Sequence, residues 1–515
     1  MEERQYDITL LPSGQTLRGF GGDSLYTLLL VAGLVNPKDS RAERLRLEKG
    51  VISPSEDPEA EALVFSPSEQ LEGWLLASKR RIAGEATLTL GQDEEADRQL
   101  YDPLDNGFGL AFDLGAGTIT AGLVDLDTMK VPLPSVCRNS QQDIAVDLAE
   151  RLHYARVHQE GAEQLRQALL RDMNSLAAKL LAKAGISGGE VKAATCAGNH
   201  SLMKMLLGEA EQQQGLVGRY RAGALDLTAM NPEAQIYVLP SAAADIGADI
   251  VAGCLTTGML QRKERQSISL LIDLGMSGEI IAAGKGSLLA ASVASLPFEG
   301  AGISCGMQAM TGAITSVVLE TDVLLKTVRN GRPRGLSGAG LLSAVLALRE
   351  AGFLDSEGRL KTLEDGPRDL AARLRSGNGG REVVLSGGDK GFPRDIVLSQ
   401  EDILQVQMAK GAIYAACRAM LAMLEAETKD IGEIMIAESY RANFQAQVLL
   451  ALGIIPPVSP AQVRSIGNAS WQGAYLALSN RRYLDKARET AAAIQRLDLN
   501  TDPVYAEAFI RGMNF

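Results

Sequence analysis

Two stretches of the sequence carry the same chemistry. FDLGAGTITAGLV (112–124) and IDLGMSGEIIAAG (272–284) each run an apolar segment into Asp-Leu-Gly, cross a turn of small residues and resume as β-branched and apolar residues. Their aspartates, Asp113 and Asp273, stand 160 positions apart. In the first turn Gly115 and Gly117 let the backbone approach a ligand and aim N–H groups at it, while Thr118 and Thr120 add hydroxyls, which is how a nest binds oxyanions. Each N–H bonded to a charged oxygen contributes about 1.5–3 kcal/mol, so three or four give useful affinity after ordering costs. Asp113 alone would repel a phosphate. An aspartate there makes sense with Mg²⁺ lying between, held directly or through water. Asp273 would face the same metal or orient an attacking water, with Gly275, Ser277 and Gly278 closing the second side. These two aspartates are the candidate catalytic and metal-binding residues.

Asp and Gly are also what any hairpin turn favours, which explains one such hairpin better than two matching ones. A strand rather than a helix follows the glycines, so this is no dinucleotide fingerprint, and no G-x-x-x-x-G-K-[ST] occurs. Glu279 and Glu299 would either orient a metal shell or sit as surface acids. His200 reads as the polar start of a helix capped by Asn199, Cys305 as a small filler, and Trp74 and Trp471 as packing residues.

The elements that must position these residues alternate. VKAATCAG (191–198) and ISLLIDLG (268–275) read as buried strands, NHSLMKMLLG (199–208) as a helix, and long helical periodicity follows Ser337-Gly-Ala-Gly340 and fills 402–427. This is α/β layering. Residues 1–92 read as a small α+β module: strand, turn and strand in YDITLLPSGQTLRGF, a helix over 25–34, and a strand at ATLTL. Segment 51–70, rich in Pro, Ser and acids, suits an exposed loop, and 93–107 an acidic linker. A supersecondary unit used twice implies two lobes, 108–265 and 266–515, whose hairpin tips face across a cleft.

With 515 residues the chain exceeds one core, and its net charge of −12 excludes a protein built to cover a phosphate backbone, so no nucleic-acid partner is expected. The longest N-terminal apolar run, 25–35, is half a membrane span with no basic flank. A cytoplasmic protein without membrane attachment is expected. Cys137, Cys196, Cys254, Cys305 and Cys417 show no C-x-x-C spacing, and none precedes position 137.

These residues resemble the ATPase superfamily of actin, sugar kinases and heat-shock chaperones, whose two ribonuclease H-like lobes each begin with such a hairpin. More narrowly, the chain resembles the reductive activators of corrinoid proteins, through NSQQDIAVDLAERL (139–152), CAGNHSLMKMLLG (196–208), ADIGADIVAG (244–253), LLIDLGMSGEI (270–280), PFEGAGISCGMQAMTGAI (297–314) and SIGNASWQGA (465–474). The resemblance implies an actin-like α/β fold behind a β-grasp module, ATP with Mg²⁺, a corrinoid protein or corrinoid methyltransferase as partner, and a homodimer. It also implies an N-terminal [2Fe–2S] cluster. Here Ser78 stands where the family has a cluster cysteine, and the other ligands are missing. A hydroxyl cannot replace thiolates, so the module is expected to keep its fold without a cluster. The family's Cys-Gly-Ser-Gly turn becomes Ser337-Gly338-Ala339-Gly340, where Gly338 and Gly340 are candidate nucleotide contacts. At the purine turn Glu438, Ser439 and Tyr440 replace two glycines. Two readings follow: an ATPase acting by nucleotide-regulated association with a corrinoid partner, or a non-catalytic paralogue serving as a binding subunit.

Overall fold

The computed structural model describes residues 5–11, 15–31, 44–55, 73–90, 102–127, 134–208, 218–320, 322–361, 372–388, 394–438 and 444–515, with Pro58, Glu61, Val64, Phe65, Glu69 and Gln70. At the N-terminus, strands β1 (Gln5–Leu11), β2 (Gln15–Phe20), β3 (Arg44–Ile52), β4 (Trp74–Leu76) and β5 (Ile82–Leu90) form a mixed sheet ordered β2-β1-β5-β3-β4. Strands β1 and β5 run parallel at its centre. Helix Leu25–Val31 buries Leu25 and Leu29 against Ile8, Leu10, Leu45 and Leu88. This is the β-grasp arrangement expected from the sequence; the end of the helix expected over 25–34 lies outside the described residues.

Ser78 sits in a single helical turn, Ala77–Lys79. Within segment 51–70, expected as an exposed loop, Val51, Pro54 and Pro58 are exposed, while Glu61 and Phe65 are buried. Glu61, 2% exposed, accepts from Leu76 N (2.9 Å) and from Arg80 Nε (2.8 Å), while Arg80 Nη1 donates to Ser53 O at 2.8 Å. Phe65 is buried, and the Arg44 guanidinium lies 5.1 Å from its ring centre and 5.6 Å from that of Trp74. Acid-rich composition reads as solvated, yet one carboxylate that satisfies a guanidinium and a strand N–H belongs inside.

The first lobe is a six-stranded sheet of β6 (Phe108–Leu114), β7 (Thr118–Asp125), β8 (Ser135–Arg138), β9 (Val191–Gly198), β10 (Gly218–Arg221) and β11 (Gln235–Val238), ordered β10-β11-β9-β6-β7-β8. The second lobe repeats the plan. Its β12 (Ile268–Leu274), β13 (Ser277–Gly284) and β14 (Ser287–Ala294) form the antiparallel meander, and after two three-stranded sheets come β15 (Ile431–Ala437), β16 (Val463–Gly467) and β17 (Gln495–Arg496). The order is β16-β15-β12-β13-β14-β17. In each lobe the first hairpin strand also pairs in parallel with a later strand, placing Asp113 opposite Ala197 and Asp273 opposite Ala437. Near-continuous apolar runs suit these strands because helices cover both faces.

Helices Ala248–Thr257 and Ala469–Ser479 lie between the two sheets. Val251 and Ala252 join the first lobe's core with Trp471 and Ala474, while Ile250, Cys254 and Ala469 join a cluster with Leu271, Ile281 and Met435. Small and apolar residues on every face suit helices buried all round. At their crossing a methyl on Gly473 would lie 2.2 Å from the Ala252 carbonyl oxygen, so only glycine fits. Trp471 donates from Nε1 to Ala111 O at 3.1 Å. No helix among the described residues is long and apolar enough to cross a membrane.

Candidate functional site

The two hairpin tips meet. Asp113, Gly115, Thr118, Asp273, Gly275, Ser277 and Glu279 all line one cavity of about 550 Å³ between the lobes. Strands β9 and β15 end at the same place, which brings in Asn199 and Glu438, and helix Ala248–Thr257 adds Asp249 from its first turn. Ligand sites at the carboxyl ends of parallel strands follow from this topology.

The first tip is a three-residue turn whose carbonyls are tied backwards. Gly115 O accepts from Asn139 Nδ2 (3.0 Å), Ala116 O from Arg151 Nη2 (2.8 Å), and Gly117 O from Gln142 Nε2 (2.7 Å), Asn139 N (3.0 Å) and Gln308 Nε2 (2.6 Å). Arg151 is fully buried and also donates to Gln141 Oε1 and the Ala145 carbonyl. With the carbonyls held away, the peptide planes turn their N–H groups the other way. Those of Ala116 and Gly117 make no hydrogen bond among the described residues. The second tip is one residue shorter, Gly275 and Met276, and Ser295 Oγ ties Gly275 O at 2.8 Å.

Six carboxylates line the cavity: Asp113, Asp249, Asp273, Glu279, Glu299 and Glu438. No lysine or arginine does, among the described residues. Asp113 is engaged on both oxygens, Oδ2 by Asn468 Nδ2 and Oδ1 by Ser470 Oγ, each at 2.7 Å. Burial still pushes its carboxyl up, against those two bonds. Asp249 is pushed up to about 7 by burial and then by the charge of Asp113. Asp273 and Glu279 face each other across the β12–β13 pair and both rise well above the carboxylate range, first from burial and then from neighbouring acids. Like charges directly opposite in a sheet are destabilising. Asp113, Asp249, Asp273 and Glu279, buried together where no lysine or arginine among the described residues lines the cavity, favour protons or a cation between them.

The other residues singled out from the sequence sit around this cavity. Thr120, opposite Asp113, is buried and accepts from Asn468 Nδ2 at 3.3 Å. Gly278 packs on Ser295 and Val293. Gly338 and Gly340 begin helix Gly338–Glu350, where methyls would lie 1.7 Å from Phe298 O and 1.9 Å from Ile314 O, so close packing accounts for both. Ser337 caps that helix by accepting from Gly340 N at 3.2 Å. Gly338 also lines a neighbouring cavity, whereas Gly340 lines none of those described. His200 begins helix His200–Leu207, with Asn199 as its cap.

Near the purine turn, Glu438 accepts from Phe444 N (2.7 Å) and Ser465 Oγ (2.6 Å), and Phe444 meets Phe298 edge-on at 6.2 Å. Ser439 and Tyr440 lie outside the described residues. The slot between Phe444, Val448 and Leu449 on one side and Ala339, Leu342 and Ser343 on the other measures about 240 Å³.

Asp249, Asn468 and Ser470 were not singled out from the sequence, and Glu438 was named only as a replacement at the purine turn. Asp249, Asn468 and Ser470 lie within two of the segments that carry the family resemblance, ADIGADIVAG and SIGNASWQGA, which was the available signal.

The comparisons agree with this geometry. Residues 267–515 match the profile of the C-terminal domain of RACo, the ASKHA domain, and residues 108–262 match the RACo middle region. The corrinoid activation enzyme RamQ of Eubacterium limosum is 25% identical over 421 residues, covering 79% of this chain and 70% of that protein. The [Co(II) methylated amine-specific corrinoid protein] reductase of Methanosarcina barkeri is 24% identical over 422 residues, covering 74% and 71%. The solved structure of a reductive activator for corrinoid, iron-sulfur protein superposes with a TM-score of 0.72 at 23% identity, covering 99% of this chain and 98% of that one. With the middle region and the ASKHA domain both matched in chain order, the chain belongs to the RACo family, the reductive activators of corrinoid proteins.

Proposed function

We propose that the protein binds Mg·ATP between its lobes and uses nucleotide state to govern association with a corrinoid protein or corrinoid methyltransferase, without an iron–sulfur cluster of its own. The observation that carries this reading is the pairing of an oxyanion-ready turn with the carboxylates of Asp113, Asp249, Asp273 and Glu279, in a cavity that no lysine or arginine lines among the described residues. Polyphosphate and acid wall fit together only through a hard cation, and oxygen donors suit Mg²⁺. Mg²⁺ is commonly held by one or two carboxylates, with water and phosphate oxygens filling the rest of its shell. When bound, Mg²⁺ would supply Lewis-acid neutralisation of phosphate charge. Asp113 and Asp273 would hold it from the two lobes, and the N–H groups of Ala116 and Gly117 with the Thr118 hydroxyl would present donors to phosphate oxygens, whereas the Gly115 N–H is taken by Thr118 O at 2.9 Å. Names of the relatives support the corrinoid partner, because one is a corrinoid activation enzyme and another a reductase of a corrinoid protein.

The narrow slot behind Phe444 favours a second reading, a paralogue that associates with its partner without admitting a purine. Calorimetric titration of the full chain with ATP·Mg²⁺ and ADP·Mg²⁺, with Asp113→Ala as control, separates the two. Heat of binding that disappears in the control supports the nucleotide reading, and no heat with either nucleotide defeats it.

A further inference from the structure

The loop after β14 leaves the second lobe and rests on the first. Its helical turn Leu296–Glu299 is followed by Gly300 and Gly302, both left-handed at φ +75° and +71°, and Met307 N returns to the second lobe by donating to Leu336 O at 2.8 Å. Two side chains of this loop converge on one residue of the first tip. Gln308 Nε2 donates to Gly117 O at 2.6 Å across the lobes. A methyl at Gly117 would lie 2.1 Å from Glu299 Oε2 and 2.9 Å from Gln308 Nε2. Glu299 and Thr118 also form the shared wall between the acid-lined cavity and a neighbouring cavity of about 500 Å³.

The turn at Gly115–Gly117 is shaped for an oxyanion, and a carboxylate already lies against it. We propose that Glu299 is the resident anion over Gly117, its carboxylate lying where a Cβ would stand while the Ala116 and Gly117 N–H groups stay unbonded among the described residues, and that residues 297–308 form a strap, fastened to Gly117 by the Gln308 bond, which incoming polyphosphate must lift. A phosphate and the Glu299 carboxylate cannot share the space over Gly117, since both are anions and glycine leaves room for one. Gln308 Oε1 is buried with no partner among the described residues, so the side chain gives up little beyond its single bond to Gly117 O when the strap opens. The loop connects directly to the second-lobe meander through β14, and its left-handed glycines permit a backbone change that other residues would resist. Nucleotide arrival is thereby coupled to release of an inter-lobe contact.

The inference rests on the nucleotide reading above, and its test distinguishes the two. Glu299→Gln keeps the shape and removes the charge. It is expected to bind ATP·Mg²⁺ at least about fivefold more tightly than wild type by calorimetry. Unchanged or weaker binding in that variant overturns the resident-anion assignment. Hydrogen exchange of the ligand-free full chain gives a readout independent of nucleotide. Amides of 297–310 should exchange faster in Gln308→Ala than in wild type, and equal exchange overturns the strap. If neither wild type nor Glu299→Gln binds nucleotide while the exchange difference is present, the nucleotide reading fails and the inter-lobe strap stands.

Discussion

Asn468 Nδ2 lies 2.7 Å from Asp113 Oδ2, although 355 positions separate the two residues. The same asparagine accepts from Trp471 N at 2.7 Å and so caps the helix wedged between the lobes. One side chain thus joins the first hairpin tip to an element supplied by the C-terminal part of the chain. Ser470→Ala removes the other donor to Asp113 without disturbing that cap. It should cost about 1.5–3 kcal/mol in chemical denaturation, the range for a hydrogen bond to a charged group. Asn468→Ala should cost more, because the helix cap is lost as well.

Arg151 holds the first tip from beneath. Replacing it with methionine keeps much of the buried volume but leaves Ala116 O without its donor, so a loss of about 1–3 kcal/mol is expected. Arg151→Lys should not restore stability fully, since one ammonium cannot reach the Ala116, Gln141 and Ala145 oxygens in the fork geometry. Denaturation of both variants against wild type checks this.

The acid wall sets a pH dependence. Asp249 keeps its proton up to about pH 7 when folded, whereas unfolded aspartate loses it near pH 4. Between those values the folded state binds more protons, so this group's contribution is full below about pH 4 and is lost as pH rises through about 7. The ligand-free protein should therefore show a Tm that falls between pH 5 and 8 at fixed ionic strength. Asp249→Asn should flatten that slope, and an unaltered slope would exclude Asp249 as its source.

In most helices glycine to alanine is stabilising, but Gly340→Ala should be destabilising here. The added methyl meets a strand carbonyl at 1.9 Å, and overpacking of this kind costs about 1–3 kcal/mol. Thermal unfolding of the variant reads the sign directly.

In the N-terminal module, Arg80→Met strands the buried Glu61 carboxylate, and loss of one partner of a buried pair costs about 3–5 kcal/mol. Near-ultraviolet dichroism of Trp74 should report loosening of this module in the full chain. Anaerobic reconstitution of wild type with iron and sulfide should yield no cluster absorbance.

What the sequence made legible was local. Asp113 and Asp273 stood out because each ends an apolar strand at a glycine turn, and strand pattern plus turn chemistry are short-range properties. Glu279 was visible for the same reason, one hairpin register away from Asp273. Asp249 and Ser470 carry no such mark: each reaches the cavity only because a helix crosses between sheets. Gly338 and Gly340 looked like ligand contacts, since glycine that admits a phosphate and glycine that admits a neighbouring backbone are identical in sequence. The 51–70 segment read as solvent-facing from its acids, while Glu61 is held by Arg80, a partner 19 positions away.

At the crossing of Gly473 and Ala252, main chain touches main chain with no side chain between them to act as a cushion. Two rods in that kind of contact have no room for even a methyl at position 473, so the backbones themselves set how near helices 248–257 and 469–479 lie, and any larger residue there would force them apart.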